Sequence, residues 1–167
     1  MKKEKTYRTN GAVGALLDEY EKALHEMIEV INDLNDEELK IIIDKNTTDN
    51  DCKSVQTILT HVVQSGYTYA LEIKKSLGHE IHYRNKITLL NVHDYQLALL
   101  KMFSFTESIF NENPNIKITE YNLNQKFIVR WGQIFDIEQL MQHAIVHILR
   151  HRRQIEKFKA IIKLKLD

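Results

Sequence analysis

From Gly11 to Asp33 the chain places Val13, Leu16, Leu17, Tyr20, Leu24, Met27, Ile28 and Ile31 three and four residues apart. That period puts the apolar side chains on one side of an α-helix. The stretch therefore predicts an amphipathic first helix, closed by the polar run NDLNDEE. LKIII suits a short helix or strand, and DKNTTDNDCKS, rich in turn formers, predicts a loop. A second stripe, Val55, Ile58, Val62, Tyr69, Ile73 and Leu77, predicts a helix from near Ser54 to Leu77 with Gly78 as its stop. Gly66 interrupts this stripe at a helix-propensity cost of roughly 1 kcal/mol, which the flanking periodicity should outweigh, and its missing side chain leaves room for close helix packing. A third helix is expected between Leu89 and Phe110, carrying Tyr95, Leu99, Met102, Phe103, Phe105, Ile109 and Phe110. NENPN ends it, because Pro114 has no amide hydrogen and disfavours helical geometry in the residue before it.

ITEYNLNQKFIVRWGQIF reads as a loop or small hairpin across one end, with Trp131 packed. The fourth helix has the clearest start: Asp136 caps it and Gln139 reaches back. Its stripe is Ile137, Leu140, Met141, Ala144, Ile145, Ile148, Ile155, Phe158 and Ile162. Four such stripes close one core, so residues 1–167 are expected to form a single all-α domain, a four-helix bundle.

Composition agrees. With 167 residues, 43% hydrophobic, and only five glycines and one proline, the chain suits long helices with modest loops and can bury a sizeable core. Lys plus Arg and Asp plus Glu both number 23, a formal net charge of zero. Nothing global draws such a surface to nucleic acid or an anionic membrane, and neither is an expected partner. Arg150, Arg152 and Arg153 spread around the helix axis and read as a solvated face. Cys52 is the single cysteine, which excludes an intrachain disulfide and is compatible with a reducing cytosol. No nucleophile pattern surrounds it, so it reads as a small inert residue at a helix start. Charges break the apolar stretch after MKKEKTYRTN before a signal core or membrane span develops, making cytoplasmic the expected location.

The candidate chemistry lies in HAIVHILRHRRQ, where His143, His147 and His151 follow one another at four-residue steps. Successive members sit about 6 Å apart on one helix face, near enough for two imidazoles to share a metal ion. At about 100 degrees per residue, the apolar stripe centres on Ile137, with His151 about 40, His147 about 80 and His143 about 120 degrees away. His147 and His151 should reach the bundle rim, whereas His143 points nearer solvent. His61, on the second helix, shares a side with Ser65, Thr68 and Glu72. It would complete a three-imidazole set and leave positions for water or substrate. The plain alternative is a group of bundle-edge histidines satisfied by water and neighbouring carboxylates.

The segments SVQTILTHVVQSGYTYA and DIEQLMQHAIVHILRHRRQIEKF both resemble the DinB/YfiT-like metalloprotein family, and the resemblance spans essentially the whole chain. The family's late signature is a histidine, three residues, then a second histidine followed by Arg, commonly Gly, and Gln. His147, His151, Arg152 and Gln154 match it, while Arg153 replaces the usual small residue. His61 matches the family's earlier ligand. The resemblance thus implies His61, His147 and His151 as ligands of one divalent transition metal ion, nickel or zinc, and leaves His143 without an assigned role. It also implies a DinB-like bundle in up-down-down-up order, HEIHYRNKITLLNVHD as the long crossover, and a homodimer.

Some relatives transfer low-molecular-weight thiols, which implies a small thiol and a small electrophilic substrate. A metal-dependent hydrolase, with Glu72 or Ser65 orienting water, is one alternative. A non-enzymatic metal-binding stress or interaction protein is the other. The remaining histidines, His25, His79, His82 and His93, read as surface, loop and helix-start residues. Tyr67, Tyr69, Tyr95 and Trp131 read mainly as packing residues, with a pocket wall as the alternative use.

Overall fold

The computed structural model describes residues 6–118 and 123–166. They form α1 (Gly11–Ile31), α2 (Val55–Ser76), α3 (Val92–Glu112) and α4 (Ile137–Leu166), plus an antiparallel pair of short strands, β1 (Phe127–Ile128) and β2 (Ile134–Phe135). The architecture is an all-α four-helix bundle, as the four apolar stripes predict. Residues 119–122 of the predicted hairpin region lie outside the described residues, and β1 and β2 supply the hairpin itself.

Cross-helix contacts set the directions. Arg152 pairs with Glu26 and Lys159 with Asp33, so α1 and α4 run parallel. The Tyr95 hydroxyl donates to the Gln56 carbonyl at 3.2 Å, and Tyr67 meets Phe105 further along, so α2 and α3 also run parallel. Arg8 reaches Glu107 while Gln96 reaches Asn32, which makes α1 and α3 antiparallel. His61 meets His151 and Tyr69 meets His143, which makes α2 antiparallel to α4. The order is up-down-down-up. A parallel α2 and α3 require residues 77–91 to travel back along the bundle, and this crossover is fastened to α2. Gln56 donates to the Leu89 carbonyl at 2.8 Å, Gln64 to that of Arg84 at 2.9 Å, and the Tyr83 hydroxyl to the Glu72 carboxylate.

Local chemistry sets the helix ends. Ser54 Oγ accepts from the Thr57 amide at 3.1 Å while Thr57 Oγ1 accepts from the Ser54 amide at 3.0 Å, a reciprocal cap on α2. Asp136 and Gln139 close α4 in the same way, at 2.8 and 3.2 Å. Gly78 takes φ +86°, the left-handed conformation that ends α2. LKIII splits: Glu38–Lys40 is a 3-10 turn, Ile41 is extended, and the Ile43 amide donates to the Lys53 carbonyl at 2.9 Å. The core joins Tyr20, Leu24 and Met27 of α1 to Ile58 and Val62 of α2, Leu99 and Met102 of α3, and Leu140, Ile148 and Ile155 of α4. No helix among the described residues is long and apolar enough to cross a membrane.

Gly66 is the close approach between α2 and α3. A Cβ there would lie under 3.0 Å from the Sδ, Cγ and Cε atoms of Met102. Met102 is wholly buried, so it has no solvent to swing into. Gly66→Ala is expected to destabilise the fold by about 1–2 kcal/mol, an overpacking cost of about 1–3 kcal/mol offset in part by alanine's better helix propensity. Urea unfolding checks this, and a midpoint at or above that of the parent would contradict the close contact.

Candidate metal centre

His61 lies in the second turn of α2, and His147 and His151 lie one turn apart on α4. Antiparallel packing of these two helices brings the three rings together. His61 Nε2 and His147 Nε2 are 2.9 Å apart, and the ring centroids are 4.9 Å (His61 to His147), 5.1 Å (His61 to His151) and 4.4 Å (His147 to His151) apart. One nitrogen from each ring falls within 4.8 Å of the others. Nitrogens bonded to one ion at about 2.0–2.1 Å lie roughly 3–4 Å apart, the scale of this cluster. Three close imidazoles of this kind can hold a metal ion. His151 is 3% exposed, while the other two are half-buried.

Partners outside the cluster orient two of the rings. Asp51 Oδ2 lies 3.1 Å from His61 Nδ1. A carboxylate only accepts, so Nδ1 carries the hydrogen, and in the neutral ring Nε2 then turns its lone pair toward the cluster. Gln154 Oε1 lies 3.1 Å from His151 Nδ1 and acts likewise. A ligating histidine usually donates its second ring N–H in this manner. With His61 Nε2 unprotonated, the 2.9 Å gap to His147 is bridged either by the His147 proton or by a cation. Lys86, from the crossover, pairs with the other oxygen of Asp51.

The electrostatics favour neutral rings at His147 and His151. Burial, followed by the charges of His151 and His61, holds His147 far below the ordinary imidazole range. Burial and then His61 lower His151 to about 4, against a smaller opposite effect of the Gln154 hydrogen bond. Neutral imidazole is the metal-binding form.

His143 stands apart from the triad. The sequence places it nearer solvent, but it is half-buried beneath the hairpin, with ring centroids 5.3 Å from Tyr69, 5.5 Å from Phe135 and 6.2 Å from Trp131. The helical wheel of α4 alone does not show what the hairpin covers. Burial lowers the His143 pKa. Trp131 is packed on one side only and stays 39% exposed. With His61, Ser65, Thr68, Tyr69 and His143 it lines a cleft of about 270 Å³ beside the triad. Tyr67 and Tyr95 are instead buried. A larger concavity of about 640 Å³ lies by Ser76, Phe127 and Asp136, and no histidine lines it.

Glu72 does not reach the cleft. It is wholly buried and accepts from the Tyr83 hydroxyl and, at 2.9 Å, from the Arg130 amide, binding crossover and hairpin to α2. Cys52 is buried in the 3-10 turn Asn50–Cys52, its thiol 3.3 Å from Asp49 Oδ2 and its pKa raised by burial, in keeping with an inert residue. Arg150 and Arg153 are exposed and Arg152 pairs with Glu26 and Glu156. His25, His79, His82 and His93 are all exposed.

Sequence reasoning missed Asp51 and Lys86, which lie in segments without periodicity. Gln154 stood out only as a motif residue, without a role. Its three-residue spacing from His151, one helical turn, was the signal for their contact. No family model matches the chain, and no curated protein matches it either.

The lowered imidazole pKa values carry a stability consequence. His147 and His151 accept protons more readily in the unfolded chain, so their neutral burial contributes stability above about pH 6.5, lost as pH falls toward 4. The urea midpoint of chelator-treated protein is expected to fall steeply between pH 7 and about pH 5, and less steeply in His147→Leu. Equal slopes in the two proteins would contradict the assignment.

Proposed function

We propose that this chain is a divalent-metal-dependent enzyme of the DinB/YfiT-like class, with His61, His147 and His151 as the ligands of one nickel or zinc ion. The observation that carries this reading is the convergence of the three imidazoles, two of them oriented by Asp51 and Gln154, beside a cleft. A structural zinc site closes all four positions with protein ligands, whereas three protein ligands are the catalytic arrangement. When bound, such an ion supplies Lewis acidity that lowers the pKa of a coordinated thiol or water.

The reaction we assign is transfer of a low-molecular-weight thiol to a small electrophile. It forms a carbon–sulfur bond and releases the thiol's proton, with any leaving group departing with its electron pair. The chain's own residues divide the work. His61, His147 and His151 supply uncharged donors, Asp51 and Gln154 hold two of those rings in one tautomer, and the cleft walls exclude water from one side. Hydrolysis is the weaker alternative, because Glu72 is wholly buried and outside the cleft lining, with its Oε1 accepting from Tyr83 and Arg130. A homodimer belongs to the same reading by resemblance.

Titration calorimetry with zinc and nickel ions tests the ligand set. Unmodified protein is expected to bind one ion per chain, and His61→Ala, His147→Ala and His151→Ala each to lose that site. Asp51→Ala is expected to keep the stoichiometry with affinity weaker by about 10–100-fold. Full affinity in any one histidine variant, with circular dichroism unchanged, would remove that residue from the set.

A further inference from the structure

The cleft beside the triad has a composition that selects its occupant. Its six lining residues, His61, Ser65, Thr68, Tyr69, Trp131 and His143, include no lysine, arginine, aspartate or glutamate. The basic residues of the adjoining crossover and hairpin are engaged elsewhere. Lys86 pairs with Asp51, the Arg84 guanidinium lies 3.7 Å from the Tyr67 ring centroid, and that of Arg130 lies 4.2 Å from the Tyr83 ring centroid. In the ion-free cleft a carboxylate or ammonium would give up part of its hydration and meet no charged side chain in the lining, which is costly.

Three of the lining residues, Tyr69, Trp131 and His143, are aromatic rings packed on one another. Trp131 and His143 are near-parallel, at 28°, while Tyr69 stands edge-on to both, at 71° and 86°. Rings so disposed offer faces for offset stacking and an edge for a T-shaped contact. The indole is held in place: its Nε1–H donates to Gln133 Oε1 at 2.8 Å. Fixing the wall in advance lowers the ordering cost of binding. Ser65 and Tyr69 both bring a hydroxyl to the lining, and a hydroxyl can donate to an uncharged acceptor such as a nitro or carbonyl oxygen. Cleft volume sets the size. About 270 Å³ is just under the roughly 300–1,000 Å³ typical of drug-sized ligands, room for one ring with small substituents.

We propose that this cleft binds a small, planar, uncharged aromatic molecule, stacked against Trp131, as the electrophilic substrate of the adjoining centre. The word substrate rests on the metal-dependent reading above, and the binding itself does not.

The chain has one tryptophan, so Trp131 gives the single indole N–H signal in a proton–nitrogen NMR spectrum. The test titrates the chelator-treated 167-residue chain with nitrobenzene and, separately, with benzoate, and follows that signal together with the Ser65 and Thr68 amides. Nitrobenzene is expected to shift all three saturably, and benzoate at equal concentration to leave them in place. Trp131→Ala is expected to weaken nitrobenzene binding at the two amides by about tenfold or more, and Trp131→Phe to restore most of it. Benzoate binding as well as nitrobenzene, shifts that bypass Trp131, or unchanged affinity in Trp131→Ala would each overturn the proposal. Because no ion is added, binding in the cleft is read independently of whether the three histidines hold a metal.

Discussion

Three imidazole rings from two helices share one small space at the edge of the bundle, and protonation of His147 or His151 is opposed by burial and by a neighbouring imidazole. Ring nitrogens this close need a proton or a cation between them, and a metal ion held by neutral imidazoles meets that need. The fold exists in the form that makes this possible. With α1 and α4 parallel, and α2 and α3 parallel, α2 packs beside α4 and not beside the helix that precedes it in sequence. A simple up-down-up-down chain would run α2 and α4 in the same direction.

The long crossover that this order requires is also part of the site. A segment of its length would be a liability as a loose loop, but Gln56, Gln64 and Glu72 fasten it to α2 at three levels. Once fastened, it delivers Lys86 to Asp51, and Asp51 in turn orients His61. Glu72 serves twice, holding Tyr83 of the crossover with the same oxygen that takes the Arg130 amide of the hairpin. The hairpin then sets Trp131 over His143 and Tyr69. Loops placed by a rigid bundle thus finish a centre that begins on the helices.

That division explains what was legible in the sequence. The four helices and their ends could be read because apolar period and capping side chains are local signals: Ser54, Gly78 and the Asp136–Gln139 pair all act where sequence places them. His147 and His151 were readable as a pair for the same reason, being one turn apart. His61 entered through its side of α2 and a family resemblance, since no spacing rule links residues on different helices. Asp51, Lys86 and the cover over His143 come from segments whose positions depend on long-range contacts, and no periodicity reports those. Glu72 looked like a neighbour of His61 on one helix side, whereas its carboxylate serves the crossover and hairpin.

X-ray absorption at the zinc edge, on the fully loaded protein, reads the coordination of the ion without passing through activity or stability. Binding by His61, His147 and His151 predicts a first shell of nitrogen and oxygen at about 2.0–2.1 Å, with the outer-shell scattering of three imidazoles and no sulfur. A sulfur shell near 2.3 Å, which would bring Cys52 into the site, or scattering from fewer than three imidazoles would contradict it.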